Sequence, residues 1–401
     1  MSRLPRALQP AWPFFKRAHR LLSLTLGLIF RRFSRAAGAR GLPRLALSDS
    51  AQTAARDPGS VTLHPAGPPE RLVRSMPRGT PPDHWVFEQA LTVNVPARYT
   101  LEIVGGTAVG DFGANLTSDG VLDFETSAYF GISDWREHPI FLRPRLPPVE
   151  DFRGTLLNLT SCGTSNNYYH FLFDVLPRFG IFEESLPGHP IDAVLAPHAT
   201  RYQQELLALA GIEQQRIQPR KDRALRADHL LVPSTPNKHL AAPLWITQWL
   251  RTRLPPSPRE SLPRRLYLTR GDTPNTRRYV QEAELWPSLE RRGFVRLDAG
   301  SLSVQDQIDM FSSAEVVVAP HGAALTNLVF CRQGVRVLEM FANDYVHLGL
   351  WSITQSLPQA NYRYVVADGA HKVGAPMTGV LQDINIPPAR ILAELDDLMN
   401  N

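Results

Sequence analysis

Three clusters in this 401-residue sequence hold side chains whose types and spacing could do chemistry. The first runs Gly163-Thr-Ser-Asn-Asn-Tyr-Tyr-His-Phe-Leu-Phe-Asp-Val-Leu-Pro-Arg178, and in it His170, Asp174 and Arg178 stand four residues apart on one helical stripe. A carboxylate one turn from an imidazole orients the ring and raises its basicity, which suits removal of a hydroxyl proton. The same spacing also fits an ordinary pair on a solvated helix face. The second cluster runs Leu266-Tyr-Leu-Thr-Arg-Gly-Asp-Thr-Pro-Asn-Thr-Arg-Arg278. A strand ending at Thr269 puts Arg270 at its carboxyl edge, with Arg277 and Arg278 in the turn-rich loop beyond, where open α/β sheets bind ligands. Guanidinium groups there suit a diphosphate, which takes bidentate charged hydrogen bonds; the alternative is a surface run of arginines.

The third cluster, Glu315-Val-Val-Val-Ala-Pro-His-Gly-Ala-Ala-Leu-Thr-Asn-Leu328, reads as a buried strand, a tight turn with Pro320 and Gly322, and a helix start. Backbone N–H groups and the positive end of the helix dipole face whatever lies at such a turn. Gly322, Ala323 and Ala324 leave room for a phosphate, and His321 can donate to it. The following strand brings Glu339 near its end, where a carboxylate can accept from ribose hydroxyls. Tight strand–helix packing is the other reading of the Gly/Ala turn. The sequence has neither a P-loop nor GxGxxG, which speaks against an ATPase and a nicotinamide enzyme.

The surrounding pattern says what must position these groups. Tyr168, Phe171, Leu172, Val175, Leu176 and Phe179 recur at helical spacing, with Ser165 or Asn166 as N-cap and Pro177 expected to kink or end the helix. After Gly154, strands at 192–196, 229–232, 266–269, 295–297, 316–319 and 337–341 alternate with helices at 202–210, 282–291, 304–312 and from about Ala323. Strict alternation implies βαβ units and parallel sheets. A proline-rich stretch at 254–263 divides two such halves. The expected domains are a basic segment 1–48, a linker 49–83, a small β-rich antiparallel subdomain 84–150, an acceptor-side lobe 151–254 and a nucleotide-sugar lobe 255–401.

Composition sets the limits. The pI near 9.3 and net charge of +5 come from ten basic residues and no acidic one within 1–48, which leaves 33 basic against 38 acidic residues in the remainder. A nucleic-acid groove is not expected. The run Leu21–Phe30 between arginines is too short to span a bilayer but could lie in an anionic membrane interface; a leader, disordered or cleaved, is the alternative. Two distant cysteines, Cys162 and Cys331, build neither a disulfide framework nor a zinc site and suggest a reducing compartment, so a cytoplasmic protein is expected. The sequons at Asn115 and Asn158 are read as chance.

The segments NNYYHFLFDVLPR, RRLYLTRGD followed by RR, and VVVAPHGAALTNLVFCRQGVRVLEMF, in this order across roughly 155–345, resemble glycosyltransferase family 61, which includes capsular polysaccharide biosynthesis proteins. The resemblance implies a GT-B fold, two Rossmann-like lobes facing a cleft, with inversion at the anomeric carbon and no obligatory metal or cofactor. It places His170 and Asp174 in an acceptor-side helix, with Asn167, Tyr168 and Arg178 as acceptor-side neighbours. Arg270, Arg277, Arg278, His321, Gly322, Ala323 and Glu339 fall to the donor nucleotide. The expected partners are a nucleotide-sugar and a bacterial polysaccharide or glycolipid, without nucleic acid. Alternatives are an inactive, glycan-binding or scaffold derivative, or another sugar-nucleotide enzyme on the same scaffold.

Overall fold

The short apolar runs between Arg265 and Val366 are nearly continuous in valine, leucine and phenylalanine, as strands covered on both faces must be. The computed structural model describes residues 12–33, 40–129, 131–132, 134–163, 167–257, 259, 261–272, 276–369 and 379–400. The chain forms two compact units, Met1–Pro69 with Pro96–Pro236, and Glu70–Val95 with Asn237–Asn401.

In the second unit six parallel strands stand in the order Val295–Leu297, Arg265–Leu268, Val316–Pro320, Arg336–Phe341, Asn361–Val366, Arg78–Thr80. Helices Glu282–Arg291 and Pro388–Asn400 cover one face, where Leu285, Leu289, Ile391 and Leu395 pack with Tyr267, Val318 and Leu338. Strand Arg265–Leu268 lies between its two successors in sequence, so the winding reverses there. Such a reversal opens a crevice at the carboxyl ends of Arg265–Leu268 and Val316–Pro320, the place where doubly wound sheets hold ligands.

The first unit is built on a ten-stranded mixed sheet. Strand Val149–Asn158 runs parallel to Ala193–Leu195 and to Ala224–Pro233, and the latter then pairs antiparallel with Tyr99–Val104 and Thr107–Val109. Only the second unit is the plain parallel layer expected of a Rossmann-like lobe.

The domain boundaries differ from the sequence reading. Residues 49–83, read as linker, contain helix Ser50–Arg56 and strands Val61–Pro65, Glu70–Val73 and Arg78–Thr80. Their polar composition hid an internally satisfied network: Ser50 Oγ and Thr53 Oγ1 donate to the fully buried Asp123 at 2.9 and 2.6 Å. The segment 84–150 is no separate subdomain. Strand Thr92–Val95 pairs with Glu70–Val73 in the second unit, whereas the strands from Tyr99 to Asp123 extend the first unit's sheet. Asn115 and Asn158 are wholly buried, and Asn158 Nδ2 donates to Asn115 Oδ1 at 2.7 Å, an amide pair inside the fold. Cys162 and Cys331 are both buried, and neither is in a disulfide.

The N-terminal segment is not a detached appendage. Helix Trp12–Phe33 packs Gly27 and Phe30 toward the core that includes Phe141, and Arg20 pairs with Glu137 at 2.6 Å. Among the described residues no helix is long and apolar enough to cross a membrane. Arg3, Arg6 and Arg35 lie outside the described residues.

Candidate functional site

The crevice at the strand reversal holds two cations. Arg270 follows strand Arg265–Leu268; its Nε donates to Thr276 O at 2.6 Å and its Nη1 to His321 O at 3.3 Å. Arg277, at φ 63°, donates from Nε to the same His321 carbonyl at 3.3 Å and from Nη1 to Val380 O at 2.6 Å. Its guanidinium lies over the Tyr345 ring, 5.1 Å from the centroid. Among the described residues no carboxylate pairs with either arginine. Burial and the neighbouring Arg277 charge lower Arg270 to about 10, and burial lowers Arg277 as well. Two partly buried like charges destabilise each other, and an anion between them would offset that cost.

His321 lies at the turn beyond strand Val316–Pro320, its ring stacked on Phe341 at 5.1 Å and its Nδ1 2.5 Å from Glu339 Oε1. Tyr362 O–H donates to Glu339 Oε2 at 2.5 Å. Glu339 is wholly inaccessible and both its oxygens are engaged, so it does not reach a ribose, contrary to the sequence expectation. It sits in the middle of a buried sheet, where carboxylates are held by internal partners; its role is to set the His321 ring. Burial pushes the Glu339 carboxyl up to about 8, while burial and then Arg277 and Arg270 hold His321 well below the usual imidazole range. A protonated Glu339 donates to Nδ1 of a neutral imidazole, leaving Nε2 as the N–H of that ring.

This arrangement has a signature in stability. Folded Glu339 keeps a proton that the unfolded chain releases from 4.5 upward, so its contribution is complete below that pH and is lost as pH rises through about 8. The melting temperature of the wild type should therefore fall relative to Glu339→Gln across this window. A difference between the two that stays constant with pH would show that Glu339 is ionised throughout.

The remaining donor-side residues divide. Arg278 is taken by Asp383, with Nε to Oδ2 at 3.1 Å, and by the Asp272 carbonyl, so it braces the loop. A Cβ on Gly322 would collide with the Arg270 guanidinium, which explains the missing side chain there; its φ of −178° is ordinary extended backbone. Ala323 opens a 3₁₀ segment, Ala323–Phe330, in place of the expected α-helix.

In the first unit, Asn167 caps the expected helix by accepting from Tyr169 N at 3.0 Å, so its side chain is occupied; Ser165 and Asn166 lie outside the described residues. The helix continues to Ser185 through a π-helical turn at Phe171–Val175. Pro177 has no N–H for the carbonyl four residues back, and the wider turn before it lets the helix pass rather than stop. His170 Nδ1 lies 2.6 Å from Asp174 Oδ2, with the imidazole 16% exposed and the carboxylate 9%. Tyr168 is half-buried, edge-on to Tyr202 at 5.4 Å. Arg178 is not an acceptor-side residue. At 1% exposure it donates from Nε and Nη2 to Pro233 O at 3.0 and 2.7 Å and from Nη1 to Thr160 O, tying the helix to the sheet. The last member of the polar stripe points into the protein, where its long guanidinium finds carbonyls at strand ends.

Sequence reasoning missed Tyr345, His347 and Tyr362. Tyr345 and His347 surround the His321 ring at 5.4 and 5.5 Å. Both lie just past the carboxyl end of strand Arg336–Phe341, a position that could have singled them out.

Residues 168–338 match the family Glycosyltransferase 61, a span that begins at the helix holding His170 and ends one residue before Glu339. Among solved structures, the iron-containing dodecameric glycosyltransferase TibC of enterotoxigenic E. coli H10407 is similar at 11% identity, over 83% of this chain and 99% of that one, with a TM-score of 0.36. No curated protein matches the chain.

Proposed function

We propose that the protein transfers a sugar from a nucleotide-sugar to a hydroxyl of a bacterial surface or capsular polysaccharide, or a glycolipid, with inversion at the anomeric carbon. The observation that carries this reading is the pair of partly buried guanidiniums of Arg270 and Arg277, neither in a direct ion pair among the described residues, at the reversal of a parallel sheet. His170, oriented by Asp174, takes the acceptor proton as the hydroxyl oxygen bonds to the anomeric carbon; the bond from that carbon to the diphosphate breaks on the opposite side. Arg270, Arg277 and His321 receive the charge that develops on the leaving diphosphate, so one displacement suffices without an enzyme nucleophile. Because these groups supply the positive charge, transfer is proposed to be metal-independent. Nucleoside diphosphates should raise the melting temperature by mass action, and turnover of the matching nucleotide-sugar should persist in excess EDTA. No thermal shift with UDP, GDP, CDP, TDP or ADP would sink the donor assignment; activity abolished by EDTA and restored by Mg²⁺ or Mn²⁺ would sink metal independence.

Peripheral membrane contact is part of the same proposal. Phe14, Leu21 and Leu28 recur every seven residues along helix Trp12–Phe33 and are 70%, 68% and 62% exposed, with Arg17 and Arg32 exposed nearby. An apolar helical stripe flanked by arginines fits the plane of an anionic bilayer, each basic residue there adding about 1 kcal/mol. Wild-type protein should sediment with phosphatidylserine vesicles at low salt, and the triple variant Phe14→Glu, Leu21→Glu, Leu28→Glu should remain in the supernatant. Equal sedimentation of both would exclude this helix as the contact.

A further inference from the structure

Hydrogen bonds hold Arg277 along one edge only. Its Nε donates to His321 O and its Nη1 to Val380 O, and its Nη2 meets no acceptor among the described residues. Two carbonyls fix the edge of a guanidinium but leave its flat face and its charge without a partner. The face is met by Tyr345, whose ring centroid lies 5.1 Å from Arg277 Cζ. The negative face of an aromatic ring attracts a cation most strongly where water is scarce, and burial is the first cause that lowers Arg277. Stacking occupies the face of a guanidinium and leaves its in-plane N–H groups for other partners. Nη2 is then the group left to meet an anion.

The local sequence explains why a ring stands there. Strand Arg336–Phe341 is followed by a tight turn through Asn343 and Asp344, residue types that favour such turns, and Tyr345 N donates back to Ala342 O at 3.2 Å. The turn fixes Tyr345 directly beyond the carboxyl end of the strand. Gly379 N donates to Asp344 O at 3.2 Å, so the turn and the Val380 carbonyl that holds Arg277 are tied to each other. The Tyr345 ring also meets the His321 ring at 5.4 Å, with 61° between their planes, and His347 stacks on Tyr345 at 6.1 Å. The His347 ring is set in turn by Gly349 N, which donates to its Nδ1 at 3.2 Å. The Tyr345 hydroxyl forms no hydrogen bond among the described residues, so what this side chain gives its neighbours is its ring.

We propose that Tyr345 is a positioning residue: its ring holds the Arg277 guanidinium so that Nη2 is ready for an anion, and its hydroxyl takes no part. The proposal rests on the reading of Arg270 and Arg277 as the diphosphate site, and the test separates the two. Binding of inorganic pyrophosphate is measured by calorimetry on wild type, Tyr345→Phe, Tyr345→Leu, Arg277→Met and the double variant Arg277→Met/Tyr345→Leu, with the melting temperature of each as a check on folding. Tyr345→Phe keeps the ring, and its Kd should stay within about twofold of wild type. Tyr345→Leu keeps apolar bulk without a π face and should raise Kd roughly tenfold, the scale of a cation–π contact away from water. Because Tyr345 acts through Arg277, the double variant should bind no more weakly than Arg277→Met alone, the non-additivity of residues in contact. Undiminished affinity in Tyr345→Leu, whatever its melting temperature, overturns the positioning role and leaves the diphosphate site standing, as do losses that add in the double variant. A loss in Tyr345→Phe as large as that expected for Tyr345→Leu overturns it too, because the hydroxyl would then be the contributing group, and this variant reports even if Tyr345→Leu does not fold. If wild type binds no pyrophosphate, the diphosphate reading fails and this proposal fails with it.

Discussion

Arg270→Met should weaken nucleoside diphosphate binding by roughly 10- to 150-fold, the loss of one charge-assisted hydrogen bond of about 1.5–3 kcal/mol, without lowering the melting temperature of the unliganded protein. The two halves of this expectation have one cause. In the unliganded state Arg270 faces Arg277 across a shared acceptor, the His321 carbonyl, and the repulsion contributes to holding Arg270 near 10. Methionine keeps much of the apolar stem and removes the like charge, so the empty crevice relaxes. What is lost is the attraction that appears only when an anion arrives. Stability kept in reserve at a binding site is the usual trade between folding and function. A lowered melting temperature with unchanged nucleotide affinity would make Arg270 a loop brace, its bonds to Thr276 O and His321 O being its whole role. Gly322→Ala offers an independent approach, since the added methyl displaces the same guanidinium and should reproduce part of the affinity loss.

How far the sequence could be read depended on whether local pattern and long-range packing agreed. In the second unit they do: the strands at 295–297, 316–319 and 337–341 and the helix at 282–291 fall where apolar runs and glycine stops place them. Arg270 and His321 were findable for the same reason, because each sits one or two residues beyond a strand end and the ligand edge of such a sheet is fixed by topology. Glu339 was misassigned because position along a strand does not reveal depth in the sheet; the flanking strands Val316–Pro320 and Asn361–Val366 enclose it, and only Tyr362, 23 residues away, completes its bonding. Arg178 was misassigned through the opposite error. Helical spacing correctly put it on the stripe of His170 and Asp174, but a polar stripe was read as facing solvent or ligand when its last member faces the Thr160 and Pro233 carbonyls. The first third of the chain misled for a compositional reason. Prolines and small polar residues at 49–83 read as linker, whereas the residues that matter there, Ser50, Thr53 and Val61, are buried through partners 40 to 75 positions away.

His170→Ala should lower kcat by roughly 10²- to 10⁴-fold, the usual scale for a general base, with nucleoside diphosphate affinity nearly unchanged. The local structure gives the reason to single out this imidazole. His170 Nδ1 is held by Asp174 at 2.6 Å, and the pair sits at the start of a π-helical turn, a local widening that recurs at functional sites in helices. Asp174, at 7% exposure, has little solvent around it and lies within electrostatic reach of the buried Arg178 guanidinium. A base held in this way loses little freedom when it takes a proton, and the imidazolium that forms is stabilised by the adjacent carboxylate. Asp174→Asn keeps the shape and removes that stabilisation, so it should show the same defect in kcat to a smaller extent, again with nucleotide affinity preserved. The pair of variants separates three roles. A collapse of nucleotide binding in His170→Ala would move the residue to the donor side and leave the base elsewhere. A lowered melting temperature with normal turnover would make the His170–Asp174 bond a fold contact, comparable to the one Arg178 makes a turn later. Only a loss confined to turnover, larger for the histidine than for the aspartate, fits an imidazole that removes the acceptor proton and a carboxylate that aims it.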